Sequence, residues 1–579
     1  MSKHLFSIAL SLILLGAVFL RLYRLDSLPA SLYWEEAALG YDAYSMWQTG
    51  RDHHGNAWPI VAFESFGDYK PSLYFYAIVP FVATLGLNEW AVRLPSAVAG
   101  MATVVAVGLI AQLLAKKWFS NSKAQYLLLI AMAVAGISPW ALVFSRGGWE
   151  VNLATALISW GMYCGLRYES QLREVKGTDL KWLVGSVIAL VLSMYAYHAT
   201  RLLAPLLGMC LVMMWSATVL SNKTSRSLAM IAKQWLIAGL LSVLLLMPIL
   251  SSLGNQSTSQ RFAETSILND VTFVEESNLR QERAGHTLAS KLLYHRYWFY
   301  GKAIALNYFS HLSIDFMFVA GDANPRHSVQ FFGQLYHIEF IFLLAGIYVA
   351  IRKGDRYSWL LFGWLVLSIL PAAITKASPH ALRILPGLPV WLVLISVGIV
   401  ELHTYVVNGL QGLLKSWRIK KITLALGLGA AIAVLYLIEL TVFWRFYSKV
   451  YAVIYASEWQ YGYEQMVQAV SRSQLANDQL PVYITREQGR PAMYYWFYTQ
   501  ANPAKVQAAD AAAKQDQGEY IEFENIKFPN TVNEVGNSPA IVASSQEGFT
   551  QLSSRHRVEV IEEVNDLRGK TVWVVYKIL

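Results

Sequence analysis

Apolar residues run along this chain in segments long enough to cross a bilayer, and the polar residues gather between them. The first run, Leu5 to Leu20, follows Lys3. Others cover about 93–114, 126–144, 150–168, 182–198, 202–220, 234–253, 336–351, 358–375, 384–402 and 422–443. About 20 consecutive apolar residues span the hydrocarbon core. In lipid such runs must be helical, because every backbone N–H and C=O then finds a partner within the segment. The run 71–87 is apolar and aromatic but barely long enough to cross. The first run is followed by Arg21-Leu22-Tyr23-Arg24 and no small-residue cleavage site, which reads as an uncleaved anchor. The pattern predicts a polytopic α-helical membrane protein of about eleven spans, with interfacial helices besides.

Charge fixes the expected sidedness. If 71–87 lies along the interface, the basic loops Lys116…Lys123, Arg167…Lys181, Lys223…Lys233, Arg352…Arg356 and Lys415…Lys421 share one side with Lys3. The positive-inside rule makes that side the cytoplasm. The amino terminus is then inside and the carboxyl terminus outside, in a plasma (cytoplasmic) membrane. The outer side receives a first loop, 21–92, a long loop, 254–335, and everything from 444 to 579. The expected division is a transmembrane region, 1–443, and a soluble mixed α/β region, 444–579. Within the latter, Trp459–Val470 has helical spacing, and strands are expected near 481–485, 520–523, 540–543, 558–564 and 571–578. Ala508–Lys514 reads as a helix or a linker.

Composition sharpens this picture. Hydrophobic residues make up 55% of the 579 and charged residues 15%, against about 25% charged in soluble domains. The net charge of +9 is not a nucleic-acid signal. From Ala452 to Leu579 there are 11 Lys/Arg and 15 Asp/Glu, a net of −4, so residues 1–451 carry 36 against 23, or +13. The expected partners are membrane lipids and no nucleic acid. Cys164 and Cys210 both lie inside apolar runs and form no metal or disulfide spacing.

The outer segments concentrate the chemistry. The first loop carries Trp34-Glu35-Glu36 and, later, Asp68-Tyr69-Lys70-Pro71-Ser72. Adjacent carboxylates can supply a general base and its orienting partner, or metal ligands; they also favour the first turn of a helix. Lys70 ahead of a proline that opens an apolar helix can hold a lipid phosphate or snorkel as an anchor. Arg146 and Glu150 flank the outer end of a span, where they either cap it or bring a third carboxylate to the site. Three further segments pair His with Arg: His198 with Arg201, Asp322…Arg326-His327, and His380 with Arg383. Arginine forks suit a phosphodiester or diphosphate. No GxxxxGK[ST], no GxGxxG followed by an acidic residue and no HExxH occurs, so no nucleotide cofactor is expected.

Taken in order, these segments resemble the GT-C glycosyltransferases of the protein-mannosyltransferase and aminoarabinose-transferase superfamily, over roughly residues 1–400. Glu35-Glu36 matches the family's Asp-Glu pair, Lys70-Pro71-Ser72 its Lys-Pro-Pro, and Asn88–Ser96 its approach to the second span. Ser145-Arg146…Glu150 matches its second acidic site, and His380…Arg383…Pro386 its late His/Arg–Leu-Pro turn. Where the aminoarabinose branch has a metal-binding Glu before the Lys, this chain has Tyr69, with Asp68 one step away. The resemblance implies an inverting hexosyl or pentosyl transfer at the outer membrane face, from a polyprenyl-phosphate sugar to an acceptor hydroxyl. The acceptor is a protein, a lipid or an envelope polymer. It implies Glu35, Glu36 and Glu150 as catalytic residues, with a divalent cation shared among them as an option. Lys70, Arg201, Arg326 and Arg383 become donor-phosphate ligands, and Asp68, Arg146, His198, Asp322, His327 and His380 further substrate contacts. Two alternatives stay open: a flippase or transporter of lipid-linked glycans, and a polymerase or ligase using a diphosphate-linked donor.

Overall fold

A computed structural model describes residues 2–173, 179–221, 227–252, 265–413, 420–476, 480–512, 515–516 and 518–579. Among the described residues, each of the eleven apolar runs is largely helical, and seven helices are long and apolar enough to cross a membrane: Lys3–Leu22, Glu89–Trp118, Thr200–Leu220, Leu228–Ser251, Arg356–Ala373, Ala381–Leu413 and Lys421–Ile454. An eighth crossing is a bent pair, Lys123–Ile137 and Pro139–Ser145, turned by 58°. The other three runs lie in Glu150–Leu172, Leu180–Ala196 and Glu339–Lys353, which are shorter or carry more polar residues. Leu73–Leu85 is a helix of 13 residues, about 20 Å at 1.5 Å per residue. That is too short for a core of about 30 Å. The protein is a multi-pass membrane protein. Parts of the basic loops, the first residues of 254–335 and Ala513–Lys514 fall outside the described residues.

The chain packs as two compact units: residues 1–21, 98–145 and 150–444, and residues 22–97, 146–149 and 445–579. In the first, the bend before Pro139 frees helix-end carbonyls, since proline has no N–H to donate back. The buried Arg21 guanidinium answers two of them, donating to Gly136 O at 2.9 Å and Ala135 O at 3.3 Å. Helices Glu339–Lys353 and Ala381–Leu413 cross so closely that a Cβ at Gly398 would lie 1.8 Å from Phe342 O, and one at Gly346 1.9 Å from Leu394 O. Small residues permit such approach in membranes. Gly398→Ala is therefore expected to force the helices apart at a cost of roughly 1–3 kcal/mol, read as a lower thermal midpoint in detergent. Gly409→Ala on the same helix meets nothing within 4 Å and should leave the midpoint unchanged or slightly raised.

In the second unit, the first long loop folds with the tail. Strands β1 (Ala62–Ser65) and β2 (Asp68–Pro71) form a hairpin. Its turn residues Phe66 and Gly67 both have positive φ, 56° and 71°, which matches the twist of the strands. The tail carries a mixed six-stranded sheet. Its strands are β3 (Val482–Ile484), β4 (Glu522–Phe523), β5 (Ile526–Lys527), β6 (Ala540–Ser544), β7 (Val558–Asn565) and β8 (Thr571–Ile578), in the order β4-β5-β3-β6-β8-β7. β3 runs parallel to β5 and β6, and β8 antiparallel to β6 and β7. Val542, Leu552, Val574 and Tyr576 fill its core. The tail helix begins at Tyr463 rather than Trp459, after a short 3-10 turn. Pro503–Ala511 is helical.

Candidate active site

Glu35 and Glu36 open helix Trp34–Thr49, and the structure gives them opposite environments. Glu36 is buried, 3% exposed. Its Oε1 accepts from Arg93 Nε at 2.9 Å and from the Gly148 N–H at 2.7 Å. Its Oε2 accepts from Arg93 at 3.1 Å and from the Tyr33 N–H at 3.0 Å. The fully buried Arg93 also donates to the carbonyls of Leu25, Pro29 and Ser31. One carboxylate and one guanidinium thus fix the segment 25–36 and the loop 146–149. Arg146 works alongside, donating to Tyr23 O at 2.6 Å and Leu28 O at 3.0 Å, with its guanidinium over the Tyr447 ring.

Glu35 is 30% exposed and pairs with Lys70, its Oε2 lying 2.9 Å from Nζ. Asp68, 31% exposed, stands 3.7 Å from the same nitrogen, and the Lys70 side chain is 9% exposed. Lys70 does not sit at a helix start as its Pro71 suggested. It lies on β2, opposite Phe63, and the helix opens at Leu73. The hairpin is what aims it: β2 places Asp68 and Lys70 two residues apart, on one face of the strand. The tip is held by Arg490, whose guanidinium lies 3.9 Å from the Phe66 ring centroid and 5.4 Å from that of Trp34.

The first unit holds the remaining candidates. Glu150 is the first residue of helix Glu150–Leu172, where a carboxylate suits the helix dipole. His198 lies in the turn before Thr200–Leu220. Arg201 donates to Met194 O at 3.3 Å. Arg326 sits in the turn 322–328, its backbone N–H on Asn324 Oδ1. Arg383 donates to Thr375 Oγ1 and to Ala377 O, the latter at 3.1 Å. Asp322, His327 and His380 come together. Asp322 Oδ2 is 3.2 Å from His327 Nδ1 and 3.9 Å from His380 Nδ1, and accepts from the Ala381 N–H at 2.7 Å. Burial would raise the Asp322 carboxyl, but the His327 hydrogen bond and charge, His380 and the Asn324 N–H together outweigh it and hold it below the usual carboxylate range. Burial, with His327 and Arg383 nearby, holds His380 well below the usual histidine value.

For a divalent cation, the first loop and this cluster differ. Glu36 is filled by N–H donors and Glu35 is paired with Lys70, so neither presents a free carboxylate. Among the described residues, Asp322, His327 and His380 are the group of three whose donor atoms all lie within 4.8 Å of one another.

A second polar cluster, which the sequence did not flag, ties the first loop to the tail. Asp42 Oδ1 accepts from His53 Nδ1 at 2.7 Å and from the His53 N–H. His54 Nδ1 lies 3.0 Å from Asp510 Oδ1, to which Tyr520 also donates. Burial would lower the His54 pKa. The Asp510 hydrogen bond, with Glu64 and Asp42 beyond it, more than offsets this and leaves it raised. Burial would raise Asp510, and His54 leaves it lowered. A raised histidine stabilises fully below its unfolded value near 6.5 and loses that contribution as pH rises through the folded value. The lowered Asp510 contributes above about 3.9 and loses its part as pH falls through its folded value. The pair is therefore strongest between the two. From about pH 6 to about pH 8.5 the wild-type thermal midpoint should fall more steeply than that of His54→Gln; parallel slopes would contradict the assignment.

The fold these elements make, a bundle of membrane helices with a carboxyl-terminal mixed α/β region, is shared with solved membrane proteins of the GT-C fold. The chain is similar along its whole length to ArnT from Cupriavidus metallidurans bound to undecaprenyl phosphate, at 14% identity and a TM-score of 0.53, covering 100% of this chain and 98% of that one. The apo state of ArnT gives 14% and 0.54, with 98% and 97% covered. The oligosaccharyltransferase of Archaeoglobus fulgidus in its apo form gives 13% and 0.50, with 94% and 70% covered. At such identities the likeness is one of fold. No protein-family model matches the sequence, and no curated protein matches it significantly.

Proposed function

We propose that the protein is an inverting glycosyltransferase that moves a sugar from a polyprenyl-phosphate donor to an acceptor hydroxyl at the outer face of the membrane. The observation that carries this reading is the half-open Glu35–Lys70–Asp68 group, set beside a Glu36 that is locked in place. Glu35 takes the proton of the acceptor hydroxyl, whose oxygen attacks the anomeric carbon. The bond from that carbon to the phosphate oxygen breaks, the configuration inverts, and polyprenyl phosphate leaves. Lys70 has three donor hydrogens; two face Glu35 and Asp68, and the third is available to the departing phosphate. Arg201, Arg326 and Arg383 are further candidates for that anion, and Glu150 for orienting the acceptor. A divalent cation would add Lewis-acid stabilisation of the phosphate.

Two features support a lipid donor. ArnT, which shares the fold, binds undecaprenyl phosphate. A groove of about 720 Å³ between helices, lined by Ile130, Ile137, Ile399, Ile432 and Leu440, is almost wholly apolar, as an isoprenoid chain requires. The amino terminus lies in the cytoplasm on this reading. Binding of sugar-free polyprenyl phosphate, followed by native mass spectrometry in detergent, tests the role of Lys70. Lys70→Ala should weaken it by about tenfold, the worth of one charge-assisted hydrogen bond. Unchanged binding would remove Lys70 from the phosphate site. The partly exposed Glu35 and Asp68 remain solvated in that variant, so its fold should persist.

A further inference from the structure

We propose that Asp322, His327 and His380 form a binding site for a divalent first-row transition-metal ion, zinc by its donor set. Two imidazoles and a carboxylate are zinc ligands; magnesium and calcium take oxygen donors instead. The site is distinct from the carboxylates of the first outer loop, which are occupied by Lys70 and Arg93. Asp322 Oδ2 stands 3.2 and 3.9 Å from the two Nδ1 atoms. Two donors at about 2.0–2.1 Å on a tetrahedral ion stand roughly 3.3 Å apart, so both carboxylate–imidazole separations are within about 0.6 Å of that spacing. All three donors lie within 4.8 Å of one another.

A second observation points the same way. His380 Nδ1 is buried and has no hydrogen-bond partner, although buried polar atoms nearly always have one. The ring lies against that of His327, centroids 4.7 Å apart, and its backbone N–H donates to His311 Nε2 at 3.0 Å. The carboxylate is oriented from outside the cluster by the N–H groups of Asn324, at 2.8 Å on Oδ1, and of Ala381. Ligands held by backbone donors in this way are the supporting shell that metal sites use. The ion would clip the turn 322–328 of the long outer loop to the turn that precedes helix Ala381–Leu413. With three protein donors it keeps a coordination position open.

The test is metal content, which does not depend on any transfer activity. Untagged full-length protein, produced in zinc-supplemented medium and purified in detergent without chelator, should carry stoichiometric zinc by mass spectrometry of the elements. His327→Gln and His380→Gln should each lower it to background, while Glu35→Gln should not. Should the histidine variants fail to fold, zinc-edge X-ray absorption on the wild type decides: two imidazoles with oxygen neighbours are expected. Background metal in zinc-saturated wild type, stoichiometric zinc in the folded His327→Gln/His380→Gln protein, or a shell without imidazole would each overturn the assignment.

Discussion

Glu35→Gln is expected to lower turnover about 10²–10⁴-fold, the usual worth of a general base, in a protein that should still fold and still bind polyprenyl phosphate. The amide keeps the size of the carboxylate but cannot accept the proton of the attacking hydroxyl. It can still accept a hydrogen bond from Lys70 through its oxygen, and the side chain is 30% exposed, so no buried charge is left unpaired. The cost should therefore fall on kcat, not on stability. Steady-state transfer with a thermal midpoint measured in parallel checks this. Wild-type turnover in the folded variant would take the base away from Glu35.

The neighbouring carboxylate should behave in the opposite way. Glu36→Ala removes the acceptor for the fully buried Arg93 and for the N–H groups of Gly148 and Tyr33. Breaking a buried pair from one side costs about 3–5 kcal/mol, a large share of the 5–15 kcal/mol that typically holds a domain together. The expected result is loss of monodisperse protein on detergent extraction. Arg93→Ala should do the same, because it strands Glu36 and the carbonyls of Leu25, Pro29 and Ser31. The double variant should lose less than the sum of the two singles, as coupled residues do. Strict additivity would mean that the pair does not act as one unit.

This contrast shows where sequence reading reached and where it stopped. The eleven apolar runs were legible because lipid leaves a long apolar segment no conformation but helix. Glu35 and Lys70 were visible as chemistry, since a carboxylate pair and a Lys-Pro stand out in an apolar chain. The difference in burial and partners between Glu35 and Glu36 was not. It depends on Arg93 and Gly148, which lie 57 and 112 residues from Glu36, and spacing in one sequence carries no trace of such partners. The Arg146 guanidinium holds the backbone of Tyr23 and Leu28, 123 and 118 residues away. The hairpin that aims Lys70 has strands of four residues, too short for alternation to register, and its proline reads locally as a helix start. His54 and Asp510 each look ordinary alone; only the folding of the first loop with the tail makes them a pair.

The central claim is sugar transfer from a lipid monophosphate, and one measurement addresses it most directly. Reconstituted protein is supplied with a panel of polyprenyl-phosphate sugars and cell-envelope acceptors, and the released lipid is identified by mass spectrometry. The account predicts release of polyprenyl monophosphate coupled to glycosylation of an acceptor, lost in Glu35→Gln. Release of a diphosphate, or movement of intact lipid-linked sugar across the bilayer that is unaffected by Glu35→Gln, would contradict it.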